Sequence, residues 1–382
     1  MAFGRIQAKL RPAAFWRWAL VVMAIVPNAG CTTHPSTPTA TGRLVVVTTF
    51  VPITNFTQAV AGNRAEVTQL LPDNVGPHDY QARPEDAGKL ARADVLVKNG
   101  LGMEDFLTEL IQNASRPKLR VVDSSQGITT GIVGTAGQQQ GKNPGLTHQH
   151  QGQPNPHIYL DPKRAMQQVA NIRDGLIAAD PAGKAIYEAN AAAYIGRLQQ
   201  LDRQFTSQLQ PFAGKTFVTY HDFAAYFAQS YHLKTQFLVD IPEQNPAPGD
   251  IQRVMAAVRQ SDLKTLLSEP QAAAGQFSAL AKDLNIQVSR FDSLETSGPS
   301  GNQPDYYLGV MAENVRNLVQ AFSGLSPQAV QPQTADQGLL TLWMARQDPN
   351  PALALIKLWN FSGPEPPYWV PGLAHPLEET WG

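Results

Sequence analysis

Eight histidines are spread over the 382-residue chain, and three of them share a setting. His78 follows a strand-like run that ends at Leu71 and is held by the Gly76-Pro77 turn in "LPDNVGPHDY". His157 lies in "NPHIYLDP", where an aperiodic stretch returns to patterned chain, and His221 comes directly after "TFVTY". Asp292 ends a fourth such run, "VSRFD". Imidazole nitrogens and a carboxylate are donors that a divalent transition metal takes. In open α/β sheets ligands gather outside the carboxyl ends of the strands, so four metal-competent side chains fall at equivalent edges of the fold. They are 79, 64 and 71 residues apart, spacings that hold neither a zinc finger nor an HExxH pattern. Any site they form must be assembled by tertiary structure. On spacing alone the plainer readings stay open: His157 bonding a carbonyl from a loop, His221 near a helix N-terminus, Asp292 accepting in a turn.

The elements that would carry these residues follow from periodicity. Strand-like runs at 43–50, 65–71, 94–100 and 119–125 alternate with helical patterns at 53–62, 84–93 and 104–114. Pro84 opens the second helix with acids in its first turn, and the third shows one apolar face. Residues 131–156 are rich in Gly, Gln and Pro with no hydrophobic period and read as a mobile loop. Helical composition runs from 163 to 209 and breaks near Asp180-Pro181, since proline is costly inside a helix. The part from 183 onward has no internal proline and predicts a spine about 40 Å long at ~1.5 Å per residue. The alternation then restarts, with strands at 215–220, 234–239, 263–269 and 286–292 and helices at 223–231, 249–262, 274–285 and 305–322. The expected fold is α/β, two (β/α) sandwich halves joined by a long helix. The divisions are an N-terminal domain over 43–165, linking helices over 166–212, a C-terminal domain over 213–322, and a Pro- and Trp-rich extension over 323–382 with no assigned role.

Bulk composition bounds the function. Apolar residues make up 43% of the chain and charged ones 16%, enough for a sizeable core, and a net charge of −1 offers no footprint for nucleic acid. At the N-terminus Arg5, Lys9, Arg11 and Arg17 precede the apolar run Trp18–Val26, which is too short to span a bilayer. Residues 1–31 read as an export signal. Cys31, the only cysteine, follows Ala29-Gly30, so no internal disulfide can form. Its place resembles a bacterial lipobox, with Asn28 where an aliphatic residue is usual; the alternative is ordinary signal cleavage nearby. Residues 32–42 are Pro- and Thr-rich, suited to a flexible tether.

Several segments together resemble the solute-binding proteins of zinc and manganese ABC importers. "GPHDYQARPEDAGKLARADVLVKNGLGMEDFL" resembles the family's first ligand segment, and "NPHIYLDP" its second, usually Asp-Pro-His followed by an aromatic and Asp-Pro. "TYHDFAAYFAQSYHL" is similar to the third, "SEPQAAAGQFSALAKDLNIQVSRFDSL" to the segment delivering a terminal Asp, and "YYLGVMAENVRNL" to the closing helix. The resemblance covers about residues 43–322 in the family's order. It implies His78, His157, His221 and Asp292 as ligands of an ion between two domains, with a spine helix that limits hinge opening. Three imidazoles and a carboxylate suit Zn2+, whereas Mn2+ prefers more oxygen donors and the family's manganese members usually carry Glu where this chain has His221. Gly76 stands where the family often has an acid, which makes Asp292 the expected fourth donor.

The remaining candidates are weaker. His148 and His150 in "THQHQG" could form an accessory metal site, or simply a solvated linker. Asp222 and Glu269 are candidates for orienting the imidazoles, Asp161 for capping the helix that starts near Pro162, and His232 for a structural place at a helix end. His34 and His375 receive no role. The implied function is an exported, lipid-anchored and monomeric zinc-binding subunit that passes its ion to a membrane permease and its ATPase. A manganese subunit and a metal-buffering or adhesion protein on the same fold are the alternatives. A secreted zinc hydrolase is disfavoured, because four protein ligands leave no open position for water.

Overall fold

The computed structural model describes residues 43–324 apart from 79, 115, 131–153, 240–244, 262, 264 and 271–273. Cys31, His34, His148, His150, His375, the tether and nearly all of the 323–382 extension lie outside the described residues.

β-Branched and aromatic runs make two four-stranded parallel sheets. The first contains β1 (Leu44–Thr48), β2 (Ala65–Gln69), β3 (Val95–Lys98) and β4 (Arg120–Asp123) in the order β2-β1-β3-β4. The second contains β5 (Thr216–His221), β6 (Lys234–Val239), β7 (Thr265–Ser268) and β8 (Gln287–Arg290) in the order β6-β5-β7-β8. The two orders are the same. In each, the chain leaves the first strand in one direction and returns on its other side. The carboxyl ends of β1 and β3, and of β5 and β7, therefore flank a topological switch, where such sheets bind ligands.

The helices are α1 (Val51–Ala61), α2 (Pro84–Arg92), α3 (Leu107–Asn113), α4 (Pro162–Ala179), α5 (Lys184–Leu209), α6 (Ala225–Ser230), α7 (Pro248–Ser261), α8 (Ala274–Leu284) and α9 (Tyr306–Ser323). Asp161 caps α4 by accepting from Lys163 N–H at 3.2 Å, as its position before Pro162 predicts. The break between α4 and α5 falls at Asp180-Pro181, and Asp180 is held there by Arg64 at 2.7 Å and by the Tyr187 hydroxyl at 2.9 Å. α5 buries Tyr187, Ala191, Tyr194, Leu198, Leu201, Phe205 and Leu209, one stripe at helical spacing. That stripe packs on α1, α4 and α9. The larger core runs continuously from Val46 and Phe56 through Phe205 to Phe291 and Leu318, so both sheets and the spine share one hydrophobic interior. A second core under β5 to β7 centres on Tyr220, Val254 and Phe277. His232 is exposed and lies two residues beyond α6 in the left-handed conformation, φ 58°, a structural place in the turn to β6.

Candidate metal centre

Three of the sequence-selected residues meet. His78 is carried by the turn after β2, where Val75 N–H bonds Pro72 O at 3.1 Å. His157 precedes a short 3-10 turn, Ile158–Leu160, and His221 is the last residue of β5. His78 Nε2 lies 3.2 Å from His157 Nε2, which lies 3.4 Å from His221 Nε2. Glu295 Oε1 joins them at 3.1 Å from His78, 2.9 Å from His157 and 3.2 Å from His221. His157, His221 and Glu295 are fully buried, and only the edge of His78 reaches solvent.

The fourth member corrects the expectation of Asp292. Asp292 is buried, but its Oδ1 accepts the Leu294 N–H at 2.8 Å and its Oδ2 pairs with Arg290 at 2.7 Å. Its backbone is clamped to Asn314, which accepts its N–H and donates to its carbonyl, both at 2.8 Å. Both carboxylate oxygens are engaged away from the imidazoles. The turn Asp292 caps takes Leu294 to φ 61° and swings Glu295 inward three residues later. The same loop crosses to the first half, where Ser297 N–H bonds Asp73 O at 2.6 Å and Asn55 donates to Gly301 O at 2.8 Å. Glu295 is thus set by a strap tied to both halves, including the turn that carries His78. "SLETSG" held an acid close to the expected ligand, and Glu295 could have been weighed beside Asp292 on that ground.

The imidazoles are aimed by their other nitrogens. Asn155 Oδ1 accepts from His157 at both the backbone N–H (3.0 Å) and Nδ1 (2.8 Å), while its amide donates to Asp222 O at 2.7 Å. Asn99, at the end of β3, donates to Pro156 O at 2.9 Å and fixes the same segment from the first sheet. His221 Nδ1 lies 2.6 Å from Glu269 Oε2, and its N–H donates to Glu269 Oε1 at 3.1 Å. Of the two orienting candidates, Glu269 contacts an imidazole, whereas Asp222 contributes its backbone carbonyl.

Burial drives the protonation states apart. Desolvation lowers His157 to about 3, so its Nε2 keeps a free lone pair at neutral pH. Burial also disfavours charge on His221, but Glu269 and Glu295 outweigh it and hold this imidazole well above its ordinary value. For Glu295 burial pushes upward, and the histidines pull it well below the usual carboxylate range. Burial raises Glu269 against the pull of His221. One carboxylate oxygen therefore faces three imidazole nitrogens in a dry pocket. Five of the six donor separations are 2.9–3.4 Å and all lie within 4.8 Å, close to the roughly 3.3 Å edges of a tetrahedron with bonds of about 2.0–2.1 Å.

The profile of the ZnuA family, described as zinc-uptake complex component A periplasmic, matches residues 46–321. The chain belongs to this family. The family is one of metal-binding transport components rather than enzymes. Among relatives, the zinc-binding lipoprotein AdcA of Streptococcus pneumoniae is 28% identical over 299 residues, 78% of this chain and 59% of that protein. The chain thus spans about three fifths of the length of that relative. The manganese-binding lipoprotein MntA of Halalkalibacterium halodurans is 29% identical over 313 residues, 81% of this chain and 97% of that protein. Among solved structures, the Zn(II)-bound ZnuA-like domain of S. pneumoniae AdcA matches with TM-score 0.60 and 28% identity, covering 73% of this chain and 99% of that one. The laminin-binding protein Lmb of Streptococcus agalactiae, a bifunctional protein with adhesin and metal transporting activity, matches with TM-score 0.63 and 26% identity over the same shares. No helix among the described residues of this ZnuA-family chain is long and apolar enough to cross a membrane.

Proposed function

We propose that the chain is the extracytoplasmic metal-capturing subunit of an ABC importer, that its cargo is Zn2+, and that His78, His157, His221 and Glu295 hold the ion. The observation that carries this reading is the convergence of three Nε2 atoms on Glu295 Oε1 within a buried pocket. Three nitrogen donors and one oxygen donor favour zinc, which is content with four ligands, over manganese, which seeks more oxygen. The zinc-binding relative supports the cargo, and the manganese-binding relative makes Mn2+ the alternative. Four protein donors leave no position for a reactive water, in keeping with transport rather than hydrolysis.

Lipidation at Cys31 would tether the protein outside the cytoplasmic membrane, and a permease with its ATPase would receive the ion. Two relatives named as lipoproteins support that placement. Metal buffering or adhesion on this fold is the other alternative, favoured by the laminin-binding neighbour. Native mass spectrometry of the purified chain, offered zinc and manganese in equal amounts, tests the cargo. One zinc held by wild type and lost in His221→Ala is the expected result. Manganese occupying the site moves the function to manganese uptake, and no metal in either protein removes the metal reading.

A further inference from the structure

We propose that Glu269 is a positioning residue of the metal centre: without touching the ion, it fixes His221 in the ligating tautomer. This rests on the metal-site reading above and specifies how that site gains affinity. His221 ends β5 and Glu269 follows β7, the two strands that flank the switch of the second sheet. Glu269 meets the same residue twice, with Oε1 accepting the His221 N–H at 3.1 Å and Oε2 lying 2.6 Å from Nδ1. Both side chains are fully buried, so water does not compete for the contact.

His221 offers Nε2 to an ion only when its proton sits on Nδ1. A carboxylate oxygen 2.6 Å from Nδ1 favours the proton on that nitrogen by its charge, which also makes Nε2 a stronger donor. His157, by contrast, is aimed by an amide, Asn155.

Zinc affinity, measured by competition with a chromogenic chelator on the purified full chain, tests this. Glu269→Gln keeps size and an acceptor oxygen while removing the charge, and Glu269→Ala removes both. The expected loss in zinc affinity is roughly 10- to 100-fold for Glu269→Gln and at least as large for Glu269→Ala. In the zinc-bound protein with 15N-labelled histidines, the His221 Nδ1–H resonance is expected far downfield and protected from exchange. It should move upfield in Glu269→Gln and vanish in Glu269→Ala. A merely structural role would lower stability and leave that resonance in place. Variants that bind zinc as tightly as wild type, or an unchanged resonance, overturn the assignment while leaving the site intact. Equal zinc binding by wild type and His157→Ala would instead overturn the site reading, and Glu269 with it. If Glu269→Ala does not fold, Glu269→Gln decides by affinity and resonance alone.

Discussion

The two neighbouring carboxylates make the sharpest test, because one was legible in the sequence and the other emerges only in the fold. Glu295→Gln preserves shape and removes the charge that lies 2.9, 3.1 and 3.2 Å from three imidazole nitrogens. Removing one partner from a buried charge interaction costs about 3–5 kcal/mol. At ~1.4 kcal/mol per tenfold, zinc should bind roughly 10^2- to 10^4-fold more weakly. Asp292→Asn removes no atom from the cluster. It weakens the contact with Arg290 and the cap on Leu294 N–H, an effect of about 1–2 kcal/mol on folding and under tenfold on zinc affinity. Chelator competition gives the affinities, and denaturant unfolding of the metal-free proteins gives the stabilities. If Asp292→Asn lost more zinc affinity than Glu295→Gln, the geometric argument would be refuted and the fourth ligand would revert to Asp292.

Three other outcomes are expected. His157 is held near 3 by burial, so between about 6.5 and 3 the unfolded chain takes up a proton that the folded, metal-free protein refuses. Stability should therefore fall as pH drops through that window, by up to roughly 5 kcal/mol. His221, raised above its ordinary value, contributes in the opposite sense, its stabilisation being present at low pH and lost as pH rises through its folded value. The reading is the difference between wild type and His157→Gln in denaturant titrations across pH, and equal slopes for the two would count against the burial argument. Asn155→Ala removes the Nδ1 acceptor of His157 and the amide that donates to the Asp222 carbonyl, and should cost zinc affinity about 10-fold or more, read by the same chelator assay. Phe205→Ala hollows the buried stripe of α5 where it meets Phe227 and Tyr231, and should lower metal-free stability by about 3–5 kcal/mol in denaturant unfolding.

Much of the architecture was legible because its signals are local. Strand runs such as 234–239 and the restart of alternation after the long helix predict two parallel sheets, and the structure has them. Pro181 marked the break between α4 and α5, and Asp161 the cap of α4, because each acts through its own backbone. Boundaries moved where side-chain patterning outran hydrogen bonding. The pattern at 104–114 forms α3 only over Leu107–Asn113, since Glu104 turns inward to accept from Thr49 and from Asn99 and Gly100 N–H.

The site divides along the same line. Residue type and position at strand ends singled out His78, His157 and His221 from the sequence, because an α/β fold presents those ends to one cleft. Which carboxylate joins them was a tertiary decision. It turns on Leu294 entering the left-handed region without a glycine to announce it, and on Arg290 and the Leu294 N–H engaging Asp292. The orienting contact of Glu269 likewise depends on two strands far apart in the chain being brought within 3 Å, whereas Asn155 reaches His157 from two positions upstream. Periodicity and residue chemistry are written along the chain; the direction in which a loop carboxylate points is set by the groups that surround it once the chain has folded.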